Sequence, residues 1–282
     1  MQTIKEIDKT KKEIQKAKLK GQSIGFVPTM GCLHEGHVSL IKKARKDCDY
    51  VVVSIFVNPT QFSPGEDFES YPRDLNRDSK ACREQGVDLL FVPDEHEMYS
   101  EHFQTYIEVE NLTKPLCGIN RPGHFRGVTT VVTKLFNIVR PDIAYFGQND
   151  AQQTRIIERM VEDLNMDVKV KMLPVIREGD GLAASSRNTY LAPEERKQAP
   201  FLYGSLQLAE KMVESGERSS SAVKEMIKKE IRQNTSSRID YVEIVDWQDL
   251  KQTDKIKGKV LIAVAVWFGK ARLIDNTIIE VG

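Results

Sequence analysis

Two of the chain's five histidines, His34 and His37, stand three positions apart in the segment VPTMGCLHEGH, residues 27–37. Three chemistries compete for such a pair: a metal site, a shortened relative of the HExxH protease motif, or a phosphate site. HExxH places its histidines at i and i+4, so that both project from one helical face onto zinc. Here the spacing is i, i+3, Gly36 sits between them, and no third ligand cluster follows. A phosphate fits better. Imidazole N–H groups at the start of a helix add donors to an end that is already positive. Gly31 and Gly36 leave room for a phosphate or a nucleotide ring to approach the backbone. The blander alternative is a histidine pair that merely caps a surface helix. Neither GxxxxGK[ST] nor GxGxxG occurs, so any phosphate site here follows another recipe.

The elements that must hold this segment can be read outward from it. SIGFVPTMG, residues 23–31, is a short apolar run stopped by Pro28 and Gly31, a buried strand entering a loop. HVSLIKKARKDCD then sets Val38, Leu40, Ile41 and Ala44 on one helical face. YVVVSIFVNP, residues 50–59, is almost continuously β-branched or aromatic, as a parallel strand covered on both faces should be. Strand, helix and strand make a βαβ unit with a right-handed crossover. The alternation continues with a helix near 74–85, a strand at 87–93, a helix at 127–141, a strand at 143–147, a helix at 150–164 and a strand at 168–176. After REGDGLAASSRNTYL the pattern changes to two polar helical segments, about 194–215 and 220–234, and three strand-like runs, RIDYVEIVD, KVLIAVAVWFG and ARLIDNTIIEV. The expected fold class is therefore α/β. A Rossmann-like, open, mostly parallel sheet occupies residues 1–175, and a smaller α+β domain occupies residues 176–282.

Composition narrows the function classes. Lys plus Arg equals Asp plus Glu, 41 of each, so no net field attracts nucleic acid or an anionic membrane. The lysine-rich segment 5–20 is interleaved with Ile7 and Ile14, beside Ile4, and reads as an amphipathic helix with a solvated outer face. No run of about 18 apolar residues is long enough to span a bilayer, and no apolar signal segment opens the chain. Cys32, Cys48, Cys82 and Cys117 form no CxxC pair and read as reduced thiols of a cytoplasmic protein.

HEGH matches the HxGH motif of adenylyl-transferring α/β enzymes, the superfamily that includes class I aminoacyl-tRNA synthetases. Longer strings narrow the match: VPTMGCLHEGH, SIFVNPTQF, YPRDLNRD, RPGHFRGVTTVVTKLFNIVRPDIAYFG, DAQQ and DGLAASSRN. Together, in order across residues 23–191, they closely resemble the pantothenate synthetase (pantoate–β-alanine ligase) family. The resemblance implies a two-step reaction. Pantoate's carboxylate attacks the α-phosphate of ATP to give pantoyl adenylate and pyrophosphate. The amine of β-alanine then attacks the acyl carbon and releases AMP. Both steps need charge stabilisation at phosphorus more than a strong base.

By the family's pattern, Met30, Gly31, Cys32, Leu33, His34, Glu35, Gly36 and His37 cradle ATP, with His34 and His37 at the phosphates and His37 as proton donor. Gly147, Gln148, Asn149, Asp150, Ile176 and Ala184 complete the nucleotide site. Ser185, Ser186 and Arg187 fill the role of a mobile KMSKS-type loop, their hydroxyls and guanidinium suiting phosphate oxygens; GxSxG is absent, which removes a serine hydrolase. Gln61 and Gln153 would bind pantoate, and Gln61 also β-alanine, since an amide can both donate and accept. Asp78 matches an acidic position near Mg²⁺ and the triphosphate. Tyr71, Arg121 and His124 fall in family motifs without a defined role. Gly179 and Gly181 offer hinges, and the second domain is expected to form a lid over the active site. The resemblance also implies a homodimer.

One position departs from the pattern. The family reads FGxKD where this chain reads FGQND, so Asn149 replaces an expected lysine. Three explanations stay open: compensation by another cation, a weakened enzyme, or a sequence error. A smaller departure is Ala184, where the family often has Met. Besides the ligase, two readings are carried: a nucleotidyltransferase that leaves the nucleotide on its product, and a nucleotide-binding protein with weakened catalysis. A tRNA synthetase is disfavoured, because no anticodon module is evident.

Overall fold

Val51, Val52 and Val53 have no solvent exposure at all, which is what a strand covered on both faces requires. The computed structural model describes residues 1–282 and divides them into two units, Met1–Pro174 and Val175–Gly282. In the first unit the strands are β1 (Gln2–Ile4), β2 (Ile24–Thr29), β3 (Tyr50–Ile55), β4 (Leu89–Phe91), β5 (Ile143–Gly147) and β6 (Lys169–Leu173). All pair in parallel, in the order β1-β4-β3-β2-β5-β6.

The helices are α1 (Ile7–Leu19), α2 (Glu35–Asp47), α3 (Leu75–Glu84), the single turns α4 (Glu95–Met98) and α5 (Cys117–Asn120), α6 (His124–Val139) and α7 (Ala151–Asp163). Alternate strand residues feed two cores, as a period of two demands. Phe26, Val52, Phe91, Ala144 and Phe146 pack with Ile14 of α1, Leu135 and Phe136 of α6 and Ile157 of α7. Val27, Val51, Val53, Leu90 and Tyr145 pack with Ile41 and Ala44 of α2 and Cys82 of α3. From β2 the chain winds to β3 and β4 on one side, then returns to place β5 and β6 on the other. The carboxyl ends of β2 and β5 thus flank a topological switch point, where ligands of open α/β sheets bind.

The second unit begins with α8 (Pro193–Gln198), α9 (Phe201–Glu214) and α10 (Ser220–Asn234). Its strands β7 (Arg238–Asp246), β8 (Gly258–Phe268) and β9 (Ala271–Val281) form an antiparallel meander. Leu202, Leu206 and Val213 of α9 and Val223, Ile227 and Ile231 of α10 cover Val242, Ile244, Ile262 and Val264 of that sheet.

Three details differ from the sequence reading. Strand β1 is too short to show a period, and its Ile4 belongs to the sheet edge beside β4, not to a helix face. The segment 194–215 is two helices, broken at Ala199–Pro200, because proline has no N–H to continue a ladder. Strand β3 ends at Ile55, and Pro59–Gln61 forms a single 3₁₀ turn. No helix is long and apolar enough to cross a membrane. All four cysteines are free; Cys48, Cys82 and Cys117 are buried, and burial pushes the Cys82 thiol up to about 12.

Candidate active site

The loop between β2 and α2 turns on two consecutive left-handed residues, Gly31 (φ +85°) and Cys32 (φ +50°). Such a turn points successive amides the same way and makes an anion-binding nest. The anion it holds is the protein's own. Asp78 of α3 accepts from Cys32 N at Oδ2 and from Leu33 N at Oδ1, both at 2.8 Å. Asp78 is only 1% exposed, and burial raises its pKa while the two amides pull it down. A Cβ at Gly31 would lie 3.0 Å from Asp78 Oδ2 and 3.0 Å from Ile55 Cγ2, so the loop admits only glycine there. The expected place of Asp78 is beside Mg²⁺, and its contacts bear on whether it suits one. Its oxygens are committed to the loop and sealed from solvent, and the residue does not fit a metal ligand. No group of three or more His, Cys, Asp or Glu is assembled to hold a metal.

His34 is the N-cap of α2, and the two histidines brace each other. Gly36 N donates to His34 Nδ1 at 3.2 Å, and His34 N donates to His37 Nδ1 at 3.3 Å. Each ring therefore uses Nδ1 as an acceptor and carries its proton on Nε2. The ring centroids are 4.1 Å apart. Burial first, and the neighbouring His34 second, push the His37 pKa down to about 3. At neutral pH His37 is thus an uncharged Nε2–H donor in the substrate-free protein. A Cβ at Gly36 would come within 2.8 Å of His34 Cε1. The glycine of HxGH makes room for the first histidine's ring. Glu35, in the first helical turn, is exposed to solvent.

Gln61, 7% exposed, ends the turn after β3, and its Nε2 lies 3.0 Å from Met30 Sδ. The structure thus brings Met30 and Gln61 together. Asn58, which the sequence reading passed over, is 1% exposed and donates from Nδ2 to Gln61 Oε1 at 3.1 Å and to the Gly127 carbonyl at 3.1 Å. Gly127 permits that approach: a Cβ there would lie 2.3 Å from Thr60 O. Arg121 and His124 also gain a role. Arg121 pairs with Glu66 through two bonds of 2.8 and 2.6 Å and meets His124 Nε2 at 3.1 Å. His124 Nδ1 in turn faces the Gln61 carbonyl at 2.8 Å. A carbonyl only accepts, so Nδ1 carries the proton and Nε2 accepts from Arg121. The Gln61 carbonyl is held from α6 directly by His124, and its side chain by Asn58, which is itself anchored to the Gly127 carbonyl of α6.

At the end of β5, Gly147 leads into a 3₁₀ turn, Gln148–Asp150, and then into α7. Asn149 is half-buried in that turn. The two glutamines of DAQQ divide their labour. Gln152, buried, accepts from Cys117 N and donates to the carbonyls of Leu112 and Pro115. Gln153 is partly exposed and takes part in none of these bonds. Tyr71, 6% exposed, packs edge-on to Phe62, beside Gln61 in sequence.

Ile176, Ala184, Ser185, Ser186 and Arg187 lie in the second unit. Ala184 N donates to Ile176 O at 2.9 Å, closing a turn whose tip includes Gly179 and Gly181. Gly181 has φ +96° and abuts Tyr203, where a Cβ would lie 2.9 Å from the ring; Gly179 has neither constraint. Arg177 at the foot of this turn forms a bidentate pair with Asp275 of β9 (2.7 and 3.0 Å) and lies 3.5 Å over the Tyr203 ring. Ser185 Oγ accepts from Arg187 N at 3.3 Å and starts a 3₁₀ turn, Ser186–Tyr190.

In the first unit the carboxyl ends of β2, β3 and β5 therefore carry neutral donors: two imidazole Nε2–H groups, the Gln61 amide and the Asn149 amide. Such a set can bind and orient polyphosphate and carboxylate oxygens by hydrogen bonding.

The chain matches the family model described as Pantoate-beta-alanine ligase over residues 2–278. It is 57% identical over 279 residues to the pantothenate synthetase of Thermotoga neapolitana, covering 99% of this chain and 100% of that one. With the pantothenate synthetase of Fervidobacterium nodosum it shares 59% identity over 280 residues and 99% of each chain. A crystal structure of pantothenate synthetase from Thermus thermophilus superposes with a TM-score of 0.92 at 45% identity, over 98% of this chain and 99% of that one. The pantoate-beta-alanine ligase of Francisella tularensis, solved with beta-gamma ATP and beta-alanine, gives a TM-score of 0.83 at 35% identity, over 100% and 99% of the two chains.

Proposed function

This chain belongs to the pantoate–β-alanine ligase family, and from that premise we propose how its own residues divide the work. The reaction is the ATP-dependent condensation of pantoate with β-alanine to pantothenate, with AMP and pyrophosphate as co-products. A pantoate carboxylate oxygen forms a bond to the α-phosphorus while the bond from that phosphorus to the bridging oxygen of pyrophosphate breaks. The β-alanine nitrogen then bonds to the acyl carbon, the C–O bond to AMP breaks, and the nitrogen loses a proton.

His34 and His37 give hydrogen bonds from Nε2–H to the triphosphate at the start of α2, where the helix end adds positive potential. Because both rings are locked by each other and by Gly36, these donors need no reorganisation as charge builds at phosphorus. Gln61 and Gln153 hold pantoate, and Gln61 also meets β-alanine. Ser185, Ser186 and Arg187 offer hydroxyls and a guanidinium to phosphate oxygens. Magnesium enters as the counter-ion of the nucleotide substrate, with no side chain assigned to it. The working assembly is a homodimer.

The reciprocal capping of His34 and His37 is the observation that carries this reading. Its test is AMP release measured with pantoate and β-alanine each omitted in turn. AMP should need both, and ATP–pyrophosphate exchange should need pantoate alone. AMP formation indifferent to pantoate would overturn the assignment, and a stable nucleotidyl product would mark a nucleotidyltransferase.

A further inference from the structure

An amide can meet a substrate with either end, and the bonds around Gln61 choose which. The choice starts at a backbone carbonyl. Gly127 O can only accept, so the Asn58 atom 3.1 Å from it is Nδ2. The second proton of that nitrogen is directed to Gln61, 3.1 Å away, and the atom receiving it must be Oε1. Gln61 Nε2 is thereby left at the other end, beside Met30 Sδ, a weak acceptor that a substrate oxygen displaces at little cost.

The other end of Asn58 is fixed in the same manner. Its Oδ1 accepts from Tyr99 OH at 2.7 Å and from Thr60 Oγ1 at 3.0 Å. Tyr99 is well placed to hold this bond. Its ring stands edge-on to Phe103 at 4.9 Å, tilts against Phe56 at 6.2 Å and carries Lys134 Nζ at 5.5 Å. Burial pushes its phenol up to about 12, so the hydroxyl keeps its proton through the physiological range.

We propose that Tyr99 is a positioning residue for the acid substrate. By donating to Asn58 Oδ1 it locks the Asn58 amide, and through it the Gln61 amide, so that Gln61 meets the acid only as a hydrogen-bond donor. The group Gln61 takes is then an acceptor, a carboxylate or hydroxyl oxygen. This rests on the reading that Gln61 holds pantoate.

Tyr99→Phe keeps the aromatic packing and removes the donor. Loss of one net hydrogen bond should raise the pantoate KM roughly fivefold to tenfold. The KM for ATP and kcat should stay within about twofold, and the melting temperature should fall by no more than a few degrees. Thr60→Val added to it leaves Asn58 Oδ1 without either donor and should raise the pantoate KM further. Direct titration of pantoate should show the same loss as the kinetics. An unchanged pantoate KM in both variants overturns the proposal. So does a parallel decline of kcat and ATP affinity with lowered stability, which marks a packing defect alone. If Tyr99→Phe does not fold, Asn58→Asp is decisive: it keeps an acceptor for Tyr99 but has no N–H to give Gln61 Oε1, so the pantoate KM should rise, and a KM equal to that of the unaltered protein overturns the proposal. Failure of the functional reading would look different: the unaltered protein would form AMP without regard to pantoate.

Discussion

Leu33 N and Asp78 Oδ1 meet at 2.8 Å across 45 residues of sequence, so a carboxylate on α3 fixes the shape of the loop that precedes α2. With Cys32 N on the other oxygen, the side chain does for the loop what a bound anion would do.

Asp78→Asn keeps the size but turns an N–H₂ group toward one of the two loop amides. The expected cost is about 1–3 kcal/mol of stability, from a buried donor left facing a donor, together with a raised KM for ATP. Titration of activity with magnesium separates this from a metal role. The midpoint in magnesium should be unchanged in Asp78→Asn; a large shift of that midpoint would restore the metal-ligand reading.

The pH dependence of folding should carry a His37 signature. Its pKa is about 3 when folded, against 6.5 ordinarily. Between these values the unfolded chain binds a proton that the folded one refuses. The contribution is therefore intact above pH 6.5 and is lost as the pH falls, by up to about 1.4 kcal/mol per pH unit. Urea midpoints at pH 7, 6 and 5 should fall more steeply for the unaltered protein than for His37→Asn. Parallel slopes would refute the assignment.

Gly36 has ordinary backbone angles, so Gly36→Ala tests space alone. The new methyl group would overlap the His34 ring, 2.8 Å from Cε1. Roughly tenfold or greater loss of pantoate-dependent ATP–pyrophosphate exchange is expected, on the order of one lost transition-state donor. A rate within about twofold of the original would show that His34 tolerates displacement.

Asn149→Lys should raise the same exchange rate, since an ammonium adds charge where the amide offers only a hydrogen bond. The gain expected is roughly tenfold to a hundredfold. No change would mean that another cation already supplies the charge.

The sheet was legible because its strands are long β-branched runs and its helices keep a clean apolar face; YVVVSI and Leu40, Ile41 and Ala44 are examples. The HxGH segment was legible because residue types and spacing are local. Asn58, Gln152 and Gly127 were not, since their partners lie 35 to 69 residues away and only the fold makes them neighbours. The loop bonds of Asp78 were hidden for the same reason, its partners lying 45 and 46 residues away. A carboxylate near a phosphate motif suggests a metal, and only the three-dimensional path of the loop reveals two amides waiting for it. The tautomers of His34 and His37 likewise depend on who donates to Nδ1, which spacing alone does not state.

The bond between Arg177 and Asp275 has a consequence for the time order of synthesis. The residues of the first unit are all made once Pro174 has been added, but Arg177 meets its partner only when β9, about 100 residues further on, has emerged. The turn leading to Ser185–Arg187 is thus set only after β9 has been made, well after the first unit is complete. A chain cut short before β9 would hold every histidine of the loop after β2 and still lack the anchor of its serine–arginine segment.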